Sequence, residues 1–230
     1  MRNEQIKNNN RDFCYNCYRP KSSCMCEYTQ AIDTNTKFII LMHPKEFRKT
    51  KNGTGHFTHL NLSNSAVYIG IDFTENKEIN KIVDDPSNNC YILYPDQNSI
   101  KLNSQKIGEK GKNNVIFIID STWACSKKIL RVSKNLHHLP RVSFEHRKSS
   151  AFKIKTQPNA YCLSTIESTL CVLELLNKHK IEMIENNKFE SFLKPFDKMI
   201  EYQINRAVKE NGGKVRYKKP YKNEIFNLVL

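Results

Sequence analysis

Four cysteines fall within thirteen residues, as Cys14-x2-Cys17 and Cys24-x-Cys26, with Arg19, Pro20 and Lys21 between the pairs. Two close thiolate pairs joined by a turn can close around one tetrahedral Zn²⁺. Such a centre keeps a net negative charge of about two units, which Arg19 and Lys21 can offset. The segment holds too few apolar residues to fold alone, so metal binding would supply the folding energy. The competing readings are ligands of an iron–sulfur cluster, or four unrelated reduced thiols. The remaining cysteines, Cys90, Cys125, Cys162 and Cys171, lie in apolar runs or helical stretches and read as packing residues.

A second constellation is Asp120-Ser121-Thr122-Trp123, which follows directly on the apolar run Val115–Ile119. In an open α/β sheet, ligands bind beyond the carboxyl ends of the strands. A carboxylate, two hydroxyls and the chain's single tryptophan at such an end suit a site. The plain alternative is a helix start, in which Asp120 or Ser121 caps and Trp123 packs. Two further run ends carry polar groups: Leu93-Tyr94-Pro95, and His43-Pro44-Lys45-Glu46 followed by Lys51-Asn52-Gly53-Thr54-Gly55. A glycine-containing loop after a strand can receive phosphates. His43 alone reads as a hydrogen-bonded structural histidine.

The elements that must position these residues are legible as apolar runs. Phe38–Met42, Ala66–Ile71, Cys90–Tyr94 and Val115–Ile119 are short, rich in β-branched and aromatic residues, and lack polar alternation. Such runs suit central strands covered on both faces. The spacing predicts a helix from about Trp123 to Ser133. Ser164-Thr165-Ile166-Glu167 has capping-box spacing, and Ile166, Leu170, Leu173 and Leu176 then recur at helical period. A last helical stretch covers about Asn187 to Lys209, kinked or split at Pro195. Residues 98–114 read as a surface excursion. Strands alternating with helices predict an α/β fold, organised as an N-terminal zinc-binding segment (1–35) and a catalytic domain (36–230).

The chain has 230 residues, 39% of them hydrophobic, which is enough for a core. Its 37 basic and 23 acidic residues give a formal +14. That excess favours polyanions: nucleic acid first and an anionic membrane surface second, with no basic amphipathic anchor to support the latter. No run approaches the roughly 20 apolar residues of a membrane span, and Met1–Gln5 lacks the apolar core of a signal peptide. The expectation is a cytoplasmic protein with reduced cysteines.

These segments together resemble the DTW-domain family. The resemblance is carried by Cys14-x2-Cys17-Tyr18-Arg19-Pro20 with Cys24-x-Cys26, then Leu41-Met42-His43-Pro44-Lys45-Glu46, then Leu93-Tyr94-Pro95. It continues through Asp120-Ser121-Thr122-Trp123-x3-Lys127-Lys128, Gln157-Pro158 and Leu163-Ser164-Thr165-Ile166-Glu167. The order is right, and the matches span residues 14–176. Departures are Ser121, where the family often has Gly or Ala, Ser168, where Ala is common, and Lys153-Ile154-Lys155, where arginines are frequent.

The resemblance implies a tRNA-uridine aminocarboxypropyltransferase, which moves the 3-amino-3-carboxypropyl group of S-adenosylmethionine to N3 of a uridine and leaves methylthioadenosine. It implies a SPOUT-like α/β fold: a mostly parallel sheet with helices on both faces and a knotted cofactor site. On that basis Asp120, Thr122 and Trp123 are the candidate catalytic residues. Leu93, Tyr94, Pro95, Asp120, Leu163, Ser164 and Thr165 are the candidate cofactor-binding residues, and Cys14, Cys17, Cys24 and Cys26 the structural zinc ligands. Lys127, Lys128, Arg131, Arg141, Arg147 and Lys148 are candidate phosphate contacts to tRNA. No membrane and no obligate protein partner are expected. The rival readings are a non-catalytic zinc-containing RNA-binding protein and an RNA methyltransferase of the same fold.

Overall fold

A computed structural model describes residues 12–48, 53–146, 150–151 and 162–210. Two short strands, β1 (Phe13–Cys14) and β2 (Arg19–Pro20), pair antiparallel at the N-terminus. The main sheet is built from β3 (Lys37–Met42), β4 (Ser65–Ile69), β5 (Asn88–Leu93), β6 (Ile100–Lys101), β7 (Asn113–Asp120) and β8 (Arg141–Ser143). Its order is β4-β3-β7-β5-β8-β6, and every pairing is parallel. Between and after the strands run α1 (Pro44–Arg48), α2 (Gly55–Leu60), α3 (Lys77–Val83), α4 (Trp123–Val132), α5 (Thr165–Lys178), α6 (Asn186–Phe192) and α7 (Lys194–Glu210).

The expected α/β class and mostly parallel sheet are what the chain adopts. The four apolar runs become β3, β4, β5 and β7, but β4 is a half-buried edge strand with Ile69 exposed, not the central strand covered on both faces that its run predicts. β7 lies between β3 and β5 and is buried over Val115–Ile118, as an uninterrupted run requires when both faces are covered. Alternate residues then divide between two cores. Phe38, Tyr91, Ile116 and Ile118 pack with Phe57 of α2, Ile166 and Leu173 of α5, and Phe196 and Met199 of α7. Ile39, Leu41, Ile92 and Phe117 pack on the opposite face with Ile79 of α3 and Ile129 and Leu130 of α4. Truncating a fully buried ring such as Phe117 to Ala would cost about 3–5 kcal/mol.

Two further expectations need correction. Residues 98–114 are not only a surface excursion, because they contain β6 and the buried Leu102 and Ile107. A two-residue strand leaves too short a pattern to read, and the same holds for β8. The cap of α4 is neither Asp120 nor Ser121: the Thr122 hydroxyl accepts from the Cys125 N–H, while Asp120 remains the last residue of β7. Of the two outcomes expected at Pro195 the stretch takes the split: α6 ends at Phe192, and Pro195 falls in the first turn of α7, where its missing N–H costs nothing.

Among the described residues no helix is long and apolar enough to cross a membrane.

Candidate active site and metal centre

The four N-terminal cysteines converge. Their sulfur atoms all lie within 4.8 Å of one another, with Cys14 and Cys26 3.6 Å apart and Cys17 and Cys24 3.7 Å apart. A tetrahedron with metal–sulfur bonds of about 2.3 Å has edges of about 3.8 Å. The set could therefore hold a metal ion. The segment is not loosely appended, since Cys17, Met25 and Ile32 belong to the same core cluster as Phe57 and Met199.

Arg19 makes the second connection. Its guanidinium is buried to 2% exposure, lies 4.6 Å from the Phe57 ring centroid, and donates from Nη2 to Gly53 O at 3.2 Å and to Met199 Sδ at 3.0 Å. Burial pushes its pKa down to about 10, opposed by the neighbouring Cys17, Cys24 and Cys26 sulfurs. Lys21, by contrast, is exposed and lies 3.8 Å from Asp12.

β3, β5 and β7 end together, and there the polar residues gather. Met42 pairs with Asp120 and Leu93 with Ile118, so Asp120 projects two positions beyond Leu93 at the rim. Alternation along β7 turns its side chain to the same face as Ile116 and Ile118, towards α2 and α5. Thr165, the first residue of α5, donates from Oγ1 to Asp120 Oδ1 at 2.5 Å. On the other side, a Cβ on Gly55, the first residue of α2, would lie 2.3 Å from Asp120 Oδ2. The carboxylate is thus wedged between two helix starts, whose free N–H groups favour negative charge. It is 6% exposed.

Other site residues are placed as follows. Ser164 and Glu167 form the expected capping box of α5, and Glu167 Oε1 and Oε2 also receive Ser150 Oγ and the Ala151 N–H. That carboxylate therefore ties the residue 150–151 strand of chain to the start of α5. His43 is hydrogen-bonded as expected: its backbone N–H donates to Asp120 O, and its Nδ1 accepts from Lys45 N–H, capping α1 with Pro44 in the first helical position. The Gly53–Gly55 loop does not present an open phosphate cradle. Gly53 O is held by Arg19, and the Asp120 carboxylate fills the space over Gly55.

The sequence-derived set falls into two groups. Asp120 and Thr165 are in contact, and Leu93 packs on the same core as α5. Tyr94 packs instead on the core under α3 and α4, where its ring meets Trp123 edge-on at 5.9 Å. Trp123 is 43% exposed. Arg141 lies over the Tyr94 ring at 5.4 Å and forms an ion pair with Asp96, so its charge already has an internal partner. Lys127, Lys128 and Arg131 are exposed on α4. Arg147, Lys148, Lys153–Lys155 and Gln157-Pro158 lie outside the described residues.

Sequence reasoning named Gly55 only as part of a loop and missed its place against Asp120, and it missed the ring cluster of Tyr18, Phe47 and His56, in which Tyr18 lies 4.7 Å from His56 and 5.1 Å from Phe47. No spacing rule links residues 18, 47 and 56. Burial, with the Arg19 and His59 charges, pushes the pKa of His56 down to about 4.

A parallel α/β sheet with a wedged carboxylate at its strand ends and a cluster of four cysteines that could hold a metal ion define a class: an α/β protein with a metal-competent N-terminal knuckle. The sequence model of the DTW domain matches residues 11–204, and the chain belongs to that family. It is similar to proteins named tRNA-uridine aminocarboxypropyltransferase 2. The Macaca fascicularis protein is 26% identical over 221 residues, covering 94% of this chain and 70% of the relative. The Mus musculus protein is 26% identical, covering 92% and 68%, and the Drosophila melanogaster protein 26% identical, covering 96% and 89%. No solved structure matches the chain.

Proposed function

We propose that this protein is a tRNA-uridine aminocarboxypropyltransferase that uses S-adenosylmethionine as co-substrate and modifies N3 of a uridine in the cytoplasm. The observation that carries the reading is the wedged Asp120 carboxylate at the strand ends of a DTW-domain protein whose similar proteins bear that name. In the reaction, uridine N3 forms a bond to the terminal carbon of the aminocarboxypropyl chain. The carbon–sulfur bond breaks, methylthioadenosine leaves, and the N3 proton passes to a base or to water. The sulfonium supplies the leaving group.

The chain's own residues would provide positioning, which can lower a barrier by several kcal/mol, roughly 7 or more in the best-oriented cases. Leu93-Tyr94-Pro95 and Leu163-Ser164-Thr165 offer backbone groups to the adenosine. Asp120, oriented by Thr165, holds the cofactor's ammonium or takes the N3 proton. Thr122 sets the start of α4 and so the place of Trp123, which walls the pocket or stacks on a base. Cys14, Cys17, Cys24 and Cys26 hold structural Zn²⁺. Lys127, Lys128 and Arg131, with Arg147 and Lys148, meet tRNA phosphates, and Arg141 supports Tyr94.

The test is incubation of the purified protein with S-adenosylmethionine and an unmodified tRNA transcript. The expected products are methylthioadenosine and a tRNA nucleoside carrying the aminocarboxypropyl group. S-adenosylhomocysteine would indicate a methyltransferase, and no turnover with tight tRNA binding would indicate a binding module.

A further inference from the structure

A row of aromatic rings runs inward from the tip of the cysteine knuckle to α2. Tyr15 is 82% exposed and meets Phe13 edge-on at 5.9 Å. Phe13 is 39% exposed and meets Tyr18 at 6.5 Å. Tyr18 continues to Phe47 and His56, which are themselves 5.4 Å apart. His56 follows Gly55, the residue held against Asp120. The row therefore begins in solvent and ends at the buried His56 ring of α2.

Two further features point to a ligand. Tyr18 has φ of 54°, in the left-handed region. Glycine would adopt that backbone at less cost, so the ring at this position is held against local strain. Cations flank the row: Lys45 and Arg48 are exposed on either side of Phe47 in α1, and Lys21 is exposed beside the knuckle, with Glu46 and Asp12 as the neighbouring carboxylates. Exposed rings interleaved with cations match a strand of unpaired nucleotides, which offers a π-face at every base and a phosphate between bases.

We propose that Phe13 and Tyr15, continued inward by Tyr18 and Phe47, are a stacking platform for unpaired bases of the RNA substrate. The proposal rests on the transferase reading for the RNA being a substrate. The platform itself is a statement about RNA binding. A metal-held knuckle suits the task, because the thiolates fix β1 and β2 and so present Phe13 and Tyr15 on a rigid base.

The experiment compares wild-type protein with Tyr15→Ala, Phe13→Ala and Tyr15→Phe. Each is titrated with an unmodified tRNA transcript and with a fully paired RNA stem over a range of salt, and metal content is measured for every variant. The two Ala variants should bind tRNA about fivefold to a hundredfold more weakly, with the slope against log salt unchanged, because no phosphate contact is removed. Their affinity for the paired stem should not change, and Tyr15→Phe should bind tRNA as wild type does. Ala variants with full metal content and wild-type tRNA affinity overturn the platform, as does an equal loss for stem and tRNA. Should Phe13→Ala lose metal, Tyr15→Ala decides, since that ring is nearly free of the fold. Ring-dependent tRNA binding without methylthioadenosine release keeps the platform and removes the transferase reading. Methylthioadenosine release with ring-independent binding removes the platform alone.

Discussion

A methyl group on Gly55 would stand 2.3 Å from Asp120 Oδ2, so the first residue of α2 and the last residue of β7 occupy space that only glycine leaves free. The Met42 Cε methyl, 2.7 Å from the same point, can swing aside, but the carboxylate is held on its other oxygen by Thr165. Gly55→Ala should therefore destabilise the protein by about 1–3 kcal/mol, as overpacking does. Combining it with Asp120→Ala should cost less than the sum of the two single changes, because the clash partner is gone. Thermal or denaturant unfolding of the four proteins gives the coupling, and strictly additive losses would show that the contact is relieved some other way.

Asp120→Asn keeps the shape of the wedge and removes the charge. Transfer should fall at least tenfold while the fold survives. If Asp120 anchors the cofactor ammonium, S-adenosylmethionine affinity measured calorimetrically falls with it. If Asp120 is the base, affinity holds and only the turnover rate drops. The anchoring role is favoured, since the transferred group must be held to be selected over the methyl. Near-normal affinity and turnover would leave Asp120 as a packing residue between α2 and α5.

Purified protein should carry one zinc per chain by elemental analysis, and Cys24→Ser should lose it. The consequence should reach beyond the knuckle, because Cys17 and Met25 share a core cluster with Phe57 and Met199, and Arg19 bridges to Gly53. A loss of roughly 2 kcal/mol or more, or about 5 °C in the unfolding midpoint, is expected. Iron in place of zinc, or a midpoint indifferent to chelation, would reject the assignment.

His56 makes stability depend on pH in the acid range. Its folded pKa is about 4, against 6.5 for the free group. Between those values the unfolded chain binds a proton that the folded chain does not, so stability is complete above pH 6.5 and declines as the pH falls towards 4. His59 is lowered by burial and acts in the same direction. The limit for His56 is about 3 kcal/mol, reduced by whatever solvent reaches the ring. His56→Phe, which keeps a ring against Tyr18 and Phe47, should flatten the midpoint between pH 6.5 and 4 relative to wild type. An unchanged pH dependence would assign the acid sensitivity to other groups.

What the amino-acid sequence determined by itself was local. Apolar runs such as Val115–Ile119 announce central strands because burial on both faces removes the need for polar alternation. The paired cysteines announce a metal-competent knuckle because four thiolates so close in the chain can reach one another. Ser164 and Glu167 announce a helix start because a capping box needs only three residues of reach. The short strands β6 and β8 escaped because two or three residues carry no period. Only the tertiary structure decided what meets across the chain. It set Asp120 towards α2 and α5 and Tyr94 with Trp123 towards α4, a division that depends on strand parity and on which helices cover each face. It also brought Arg19 to Gly53 and to Met199, 34 and 180 residues away. Such contacts follow from the packing of whole elements, and no local pattern of residue types encodes them.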